Sequence, residues 1–179
     1  AVALDNVQLH ESLRQEAIRD SLTGLFNRRF MEETLAKEMG RAQRKSQPLT
    51  LVMLDMDNLK EINDTYGHDV GDDAIRDISL LLRTKIRAGD TACRYGGDEF
   101  IIILPETTAD HAKKRMEEFI TEVKALSIYH EGKPIKPIGL SIGIAEFPHH
   151  GELAPELLKS ADNALYKAKE SGRNTIKVN

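Results

Sequence analysis

Between Asp55 and Asp73 the chain carries Asp55, Asp57, Asp64, Asp69, Asp72 and Asp73, with Glu61, against the single base Lys60. On an exposed helix such crowding is an ordinary solvated face. Asp55 differs because it directly ends the apolar run at residues 49–54, the pattern of a central strand covered on both sides. An ionised carboxylate there is costly unless it is paired or coordinates a metal. A second pair of acids, Asp98 and Glu99, follows Gly96-Gly97, whose freedom to take positive φ suits a tight two-residue hairpin between strands at 92–95 and 100–104. Carboxylates from two neighbouring strands can hold a hard cation such as Mg²⁺ at the α-phosphate of a nucleotide, and a further acid can take a proton from the attacking hydroxyl.

Other chemistries fail on spacing. An EF-hand starting at Asp55 would need Asp or Asn at Leu59 and Gly at Lys60. Gly139-Leu140-Ser141-Ile142-Gly143 matches G-x-S-x-G, but the alternation runs on through Ile144 and Phe147 as a strand, with glycines where helices pack closely. Neither GxxxxGK[ST] nor GxGxxG occurs. His149-His150 reads as a surface pair in a loop without a fixed partner, and the single Cys93 as a small buried apolar residue.

The elements that must position these acids read as follows. Residues 2–19 form a connecting helix, with spacing too short to establish a coiled coil; 20–27 carry turn chemistry, and 28–45 a helix. After the strand at 49–54 come helices at 59–66 and 71–87, the strand-hairpin-strand at 92–104, and an amphipathic helix at 107–126. A small hairpin at 128–138, a strand at 140–147, a helix at 153–171 and a strand at 175–178 complete the chain. The order predicts an α+β fold with a mostly antiparallel five-stranded sheet of split βαβ, ferredoxin-like type, flanked by helices.

With 179 residues, 40% apolar and 30% charged, the chain suits one domain with a full core plus a short appendage. The boundary falls between 1–19, the connecting helix, and 20–179. A net charge of -4 argues against nucleic acid as a partner. The apolar runs fall far short of the roughly 20 residues that span a bilayer, so no membrane contact is expected. One cysteine suits a reducing, cytoplasmic location. The start at Ala1, without Met or a signal segment, suggests a fragment of a longer protein with an upstream sensory or regulatory part, and leaves a membrane anchor on the full chain open.

From Asp20 to about Lys177 the chain resembles the GGDEF family of diguanylate cyclases, spelled here as Gly96-Gly97-Asp98-Glu99-Phe100. Supporting pieces in family order are the stretch from Asp20 to Arg29, Asp55-Met56-Asp57 through Lys60 to Asn63-Asp64, Tyr66 to Asp72, Ser141 to Ala145, Ala161-Asp162, Ala164-Leu165-Tyr166, Ala168-Lys169 and Gly172-Arg173-Asn174. The resemblance implies that Asp55, the Met56 carbonyl and Asp98 bind Mg²⁺, with Mn²⁺ as a substitute, and that Glu99 is a further ligand or the base for a ribose 3′-hydroxyl. It implies Asn63 and Asp72 on the guanine edge, Lys60, Lys169 and Arg173 on the triphosphate, and Gly96 and Gly97 beside the α-phosphate. Leu59 stands where the family usually has an aromatic residue and is expected to pack. The implied activity condenses two GTP into cyclic di-GMP across a homodimer and releases two pyrophosphates; a non-catalytic receptor for GTP or cyclic di-GMP is the competing reading. Arg87-Ala88-Gly89-Asp90 matches the family's RxxD motif, which implies an inhibitory site for the product.

Overall fold

The computed structural model describes residues 17–135 and 137–179. The connecting helix expected at 1–19 lies outside the described residues except for its last three. Helix α1 (Arg28–Lys45) is capped by Asn27, whose side chain accepts from the Phe30 N–H at 3.0 Å. Strand β1 (Leu49–Asp57) follows, then α2 (Leu59–Tyr66), α3 (His68–Lys85), β2 (Thr91–Gly96), β3 (Glu99–Pro105) and α4 (Ala109–Ala125). The small hairpin β4 (Tyr129–His130) and β5 (Lys133–Pro134), strand β6 (Gly139–Phe147), helix α5 (Ala154–Glu170) and strand β7 (Ile176–Val178) complete the order.

The main sheet runs β2-β3-β1-β6-β7, antiparallel throughout except for the parallel β6–β7 pair. This is the predicted split βαβ arrangement, with β3 inserted between β1 and β2. Every residue of β1 is buried, as its apolar run requires of a central strand. Alternation along β1 divides the core: Val52, Leu54 and Met56 pack with α2, α3 and α4, whereas Leu49, Leu51 and Met53 pack with α1 and α5. At Gly143 a Cβ would overlap the Ala161 carbonyl and the Leu165 amide. Only glycine lets α5 lie this close to β6.

Several boundaries differ from the sequence expectation. Helix α3 starts at His68, because the chain turns at Gly67 (φ 93°), and ends at Lys85, leaving Arg87 in the turn before β2. The β2–β3 hairpin turns at Gly97-Asp98 and not Gly96-Gly97. A bulge between Arg94 and Gly96 shifts the register so that Gly96 pairs with Glu99, and only Gly97 takes positive φ (51°). His150 does have a fixed partner: its Nδ1 accepts from the Glu146 N–H at 2.9 Å. Cys93 is fully buried, and that burial pushes its thiol up to about 12, as expected of an inert packing residue.

Candidate functional site: an acidic edge at the end of β1

Asp55 lies near the end of β1 and Glu99 opens β3, and the two face each other in the β1–β3 register. Opposed residues of an antiparallel pair point to one face, here the face covered by α5. The Met56 N–H donates to the Asp98 carbonyl at 3.2 Å and ties the hairpin tip to β1. A second tie comes from Arg94, whose guanidinium donates to the Gly97 carbonyl at 2.9 Å and to Asp20 at 3.3 Å. Asp20 in turn accepts from the N–H and hydroxyl of Thr23, at 3.0 and 2.8 Å. The turn before α1 therefore buttresses the tip that carries Asp98.

The Asp55 carboxylate accepts from Lys169 Nζ at 2.6 Å. Its pKa is nevertheless pushed from 3.8 up to about 6; burial is the largest cause, the Lys169 hydrogen bond opposes it, and the Asp98 and Glu99 charges add to it. A carboxylate so raised remains short of positive partners. Hard oxygen donors from Asp55, Asp98, Glu99 and the Met56 carbonyl suit Mg²⁺ in kind. Among the described residues no three acid, His or Cys side chains stand close enough to hold an ion alone. A cation at this edge would need the backbone carbonyl and oxygens from a ligand, as Mg²⁺ commonly takes from phosphates.

Asn63 lies on α2 and Asp72 on the adjoining helix α3. At Gly71 a Cβ would overlap Asn63 Oδ1, so glycine is what lets the helices close on this side chain, and that buried oxygen has no hydrogen-bond partner in the fold. Such an atom calls for an explanation, and a donor from a bound ligand is one. Leu59 packs in the core at 7% exposed, as expected. Lys60 and Arg173 are exposed, the latter beyond the end of α5. A Cβ at Gly96 or Gly97 would meet nothing within 4 Å, so the space at the tip is open.

The remaining aspartates of the acidic stretch separate. Asp64, Asp69 and Asp73 are exposed and fit the solvated-face reading. Asp57, to which sequence reasoning assigns no role, is buried and accepts from Ser141 Oγ at 2.7 Å and the Asn174 N–H at 2.9 Å. The only signal for it in the sequence is its period-two spacing from Asp55, which puts both on the α5 face. A pocket of about 580 Å³ opens beside it, lined by Asp57, Asn58, Lys124, Gly172, Arg173 and Asn174 among others. A cavity of about 630 Å³ lies at the opposite end of the sheet, but its Glu146 is committed to the Ala109 amide at 2.6 Å and none of the β1-end acids reaches it.

Arg87 and Asp90 sit away from this edge, at the far end of β2, roughly 20 Å by strand length. They do not form the surface ion pair that is the plain reading of such a motif. The Asp90 carboxylate, 5% exposed, accepts from the Arg87 backbone N–H at 2.9 Å and from Arg115 of α4 at 2.6 Å. The Arg87 guanidinium is left exposed beside a groove of about 350 Å³.

Residues 17–175 match the family model described as "Diguanylate cyclase, GGDEF domain". The chain is 39% identical over 162 residues to the response regulator PleD of Caulobacter vibrioides, covering 89% of this chain and 36% of that protein. It is 38% identical over 168 residues to the diguanylate cyclase DosC of Escherichia coli, covering 94% of this chain and 36% of that protein. It thus spans little more than a third of the length of these curated relatives. The coiled coil and GGDEF domain of DgcB from Caulobacter crescentus, solved in complex with c-di-GMP, superposes with a TM-score of 0.91 at 30% identity, over 99% of this chain and 94% of that one. With the family match covering nearly all the described residues and the GGDEF acids standing at the end of β1, the chain belongs to the GGDEF diguanylate cyclase family.

Proposed function

We propose that two copies of this domain, each holding one GTP, face each other and condense the two nucleotides into cyclic di-GMP. The observation that carries this is the register pairing of Asp55 with Glu99, which gathers the hairpin acids and the end of β1 at one edge. Mg²⁺, when bound, would neutralise charge at the α-phosphate; Asp55, Asp98 and the Met56 carbonyl would hold it. Glu99 accepts the 3′-hydroxyl proton or completes the metal shell. Each 3′-oxygen forms a bond to the α-phosphorus of the opposite nucleotide, and each pyrophosphate leaves with the electron pair of the bond it breaks. One site holds one nucleotide, so the reaction requires a homodimer. Lys60, Lys169 and Arg173 bind the triphosphate, and Lys169 leaves Asp55 for it. Incubation with GTP and Mg²⁺ followed by chromatography tests the reading. Cyclic di-GMP and pyrophosphate in a 1:2 ratio are expected; binding of GTP without product would instead identify a receptor.

Guanine selection rests on Asn63 and Asp72. Asp72→Ala should lower kcat/KM for GTP by roughly 10- to 100-fold, with a much smaller loss for ATP, because it removes an acceptor for guanine's N–H groups. Equal losses for both nucleotides would remove this role.

The product is proposed to bind at Arg87 and Asp90. Arginine offers a planar fork of donors to a guanine edge or a phosphate, and Arg115 holds the Asp90 carboxylate in place to receive N–H donors. Bound product would pin pairs of domains in an arrangement where their active edges cannot meet. In Arg87→Ala the concentration of cyclic di-GMP that halves the rate should rise by at least about tenfold, and progress curves should stay straight where wild-type curves bend. Curves that bend alike in both proteins would refute it.

The domain is proposed to work in the cytoplasm under an upstream sensory or regulatory part. No helix among the described residues is long and apolar enough to cross a membrane.

A further inference from the structure

We infer that Asp57 is a positioning residue, holding the turn Gly172-Arg173-Asn174 so that Arg173 meets the nucleotide's phosphates; this rests on the nucleotide-binding reading above. Asp57 is 4% exposed and both its oxygens are committed, Oδ1 to Ser141 Oγ at 2.7 Å and Oδ2 to the Asn174 N–H at 2.9 Å. The turn it grips is locally unfavourable: φ is 105° at Gly172, 64° at Arg173 and 48° at Asn174. Glycine takes such a φ freely and asparagine tolerates it, whereas Arg173 carries a β-carbon and a long side chain in the left-handed region, a conformation its surroundings must hold.

The end of α5 supplies part of that constraint. The N–H groups of Gly172 and Arg173 donate back to the Lys169 and Ala168 carbonyls at 3.4 and 3.2 Å. Those helix-end bonds stop at Arg173, and the next N–H, that of Asn174, crosses to Asp57 on the central strand. Gly139 faces Asp57 in the β1–β6 register, and its lack of a side chain leaves room for the carboxylate, since a Cβ there would lie 2.9 Å from Oδ2. Arg173 and Asp57 line the same pocket of about 580 Å³, with Lys124 also on its wall. Neither Arg173 nor Lys124 has an acidic partner among the described residues. A pocket with two uncommitted cations beside a metal-type acidic edge fits the β- and γ-phosphates of a nucleotide, and Asp57 sets where one of those cations stands.

Calorimetric binding of 3′-deoxy-GTP with Mg²⁺, which lacks the attacking hydroxyl, tests this without turnover. Asp57→Ala should weaken binding by about tenfold or more, the usual scale for losing a hydrogen bond to a charged group. Asp57→Asn should stay within about threefold of wild type, because its amide oxygen still accepts from Asn174 and its amide nitrogen donates to Ser141. Arg173→Ala should lose about as much as Asp57→Ala, and the double variant little more than either, since residues acting through one contact are not additive. Losses that add fully, or Asp57→Asn as damaging as Asp57→Ala, would overturn the inference. Should Asp57→Ala not fold, Ser141→Ala frees one carboxylate oxygen and carries the same non-additivity test against Arg173→Ala. Wild-type protein that binds no nucleotide would overturn the nucleotide reading together with this one; binding with additive losses would overturn this one alone.

Discussion

Asp55→Asn is expected to cut cyclic di-GMP formation by at least about a thousandfold, the scale of losing a charge from a metal site at the reacting phosphate, while making the metal-free domain more stable at pH 8. The sign follows from the raised pKa. In the fold Asp55 titrates at about 6, against 3.8 when unperturbed, so between those values the folded chain keeps a proton that the unfolded chain has lost. Stability from this group is therefore present below pH 3.8 and falls as pH rises through 6, by roughly 3 kcal/mol at most. Asparagine cannot ionise and removes that burden. It also loses the charge partner of Lys169, but that side chain is 35% exposed and stays hydrated. The thermal midpoint at pH 8 should rise by about 3–6 °C, and the gain should vanish near pH 4. A variant that melts lower than wild type at pH 8 would mean that the Lys169 pair outweighs burial.

Glu99→Gln is expected to remove turnover, by about 100- to 10,000-fold for a lost general base, while GTP binding largely survives. Glutamine keeps the shape beside Asp55 but can neither take a proton nor offer a charged oxygen to a metal. Steady-state rates over a range of GTP concentrations with Mg²⁺ should show the loss in kcat with KM little changed. Product formation at wild-type rates would end the role assigned to Glu99.

The chain's order of apolar runs and turn residues was enough to read the sheet type and to single out Asp55 and the hairpin acids as candidates. Leu49 to Leu54 carried the pattern of a central strand, and Asp55 at its end that of a carboxylate in need of a partner. Gly96 to Phe100 marked a hairpin, although its turn falls one residue later than the glycine pair suggests. A bulge costs one residue of register and leaves no trace in an apolar pattern.

Partner choice was beyond the sequence. Asp57 meets Ser141 and Asn174 across 84 and 117 positions, and Asp55 meets Lys169 across 114. Asp90 keeps the Arg87 backbone N–H but takes its guanidinium from Arg115, because α4 packs beside the turn that precedes β2. Residue type and local spacing decide which groups must be satisfied, since burial of a charge or an amide is costly wherever it occurs. Which donor satisfies them depends on strand register and helix docking, and these are set by the packing of the whole core.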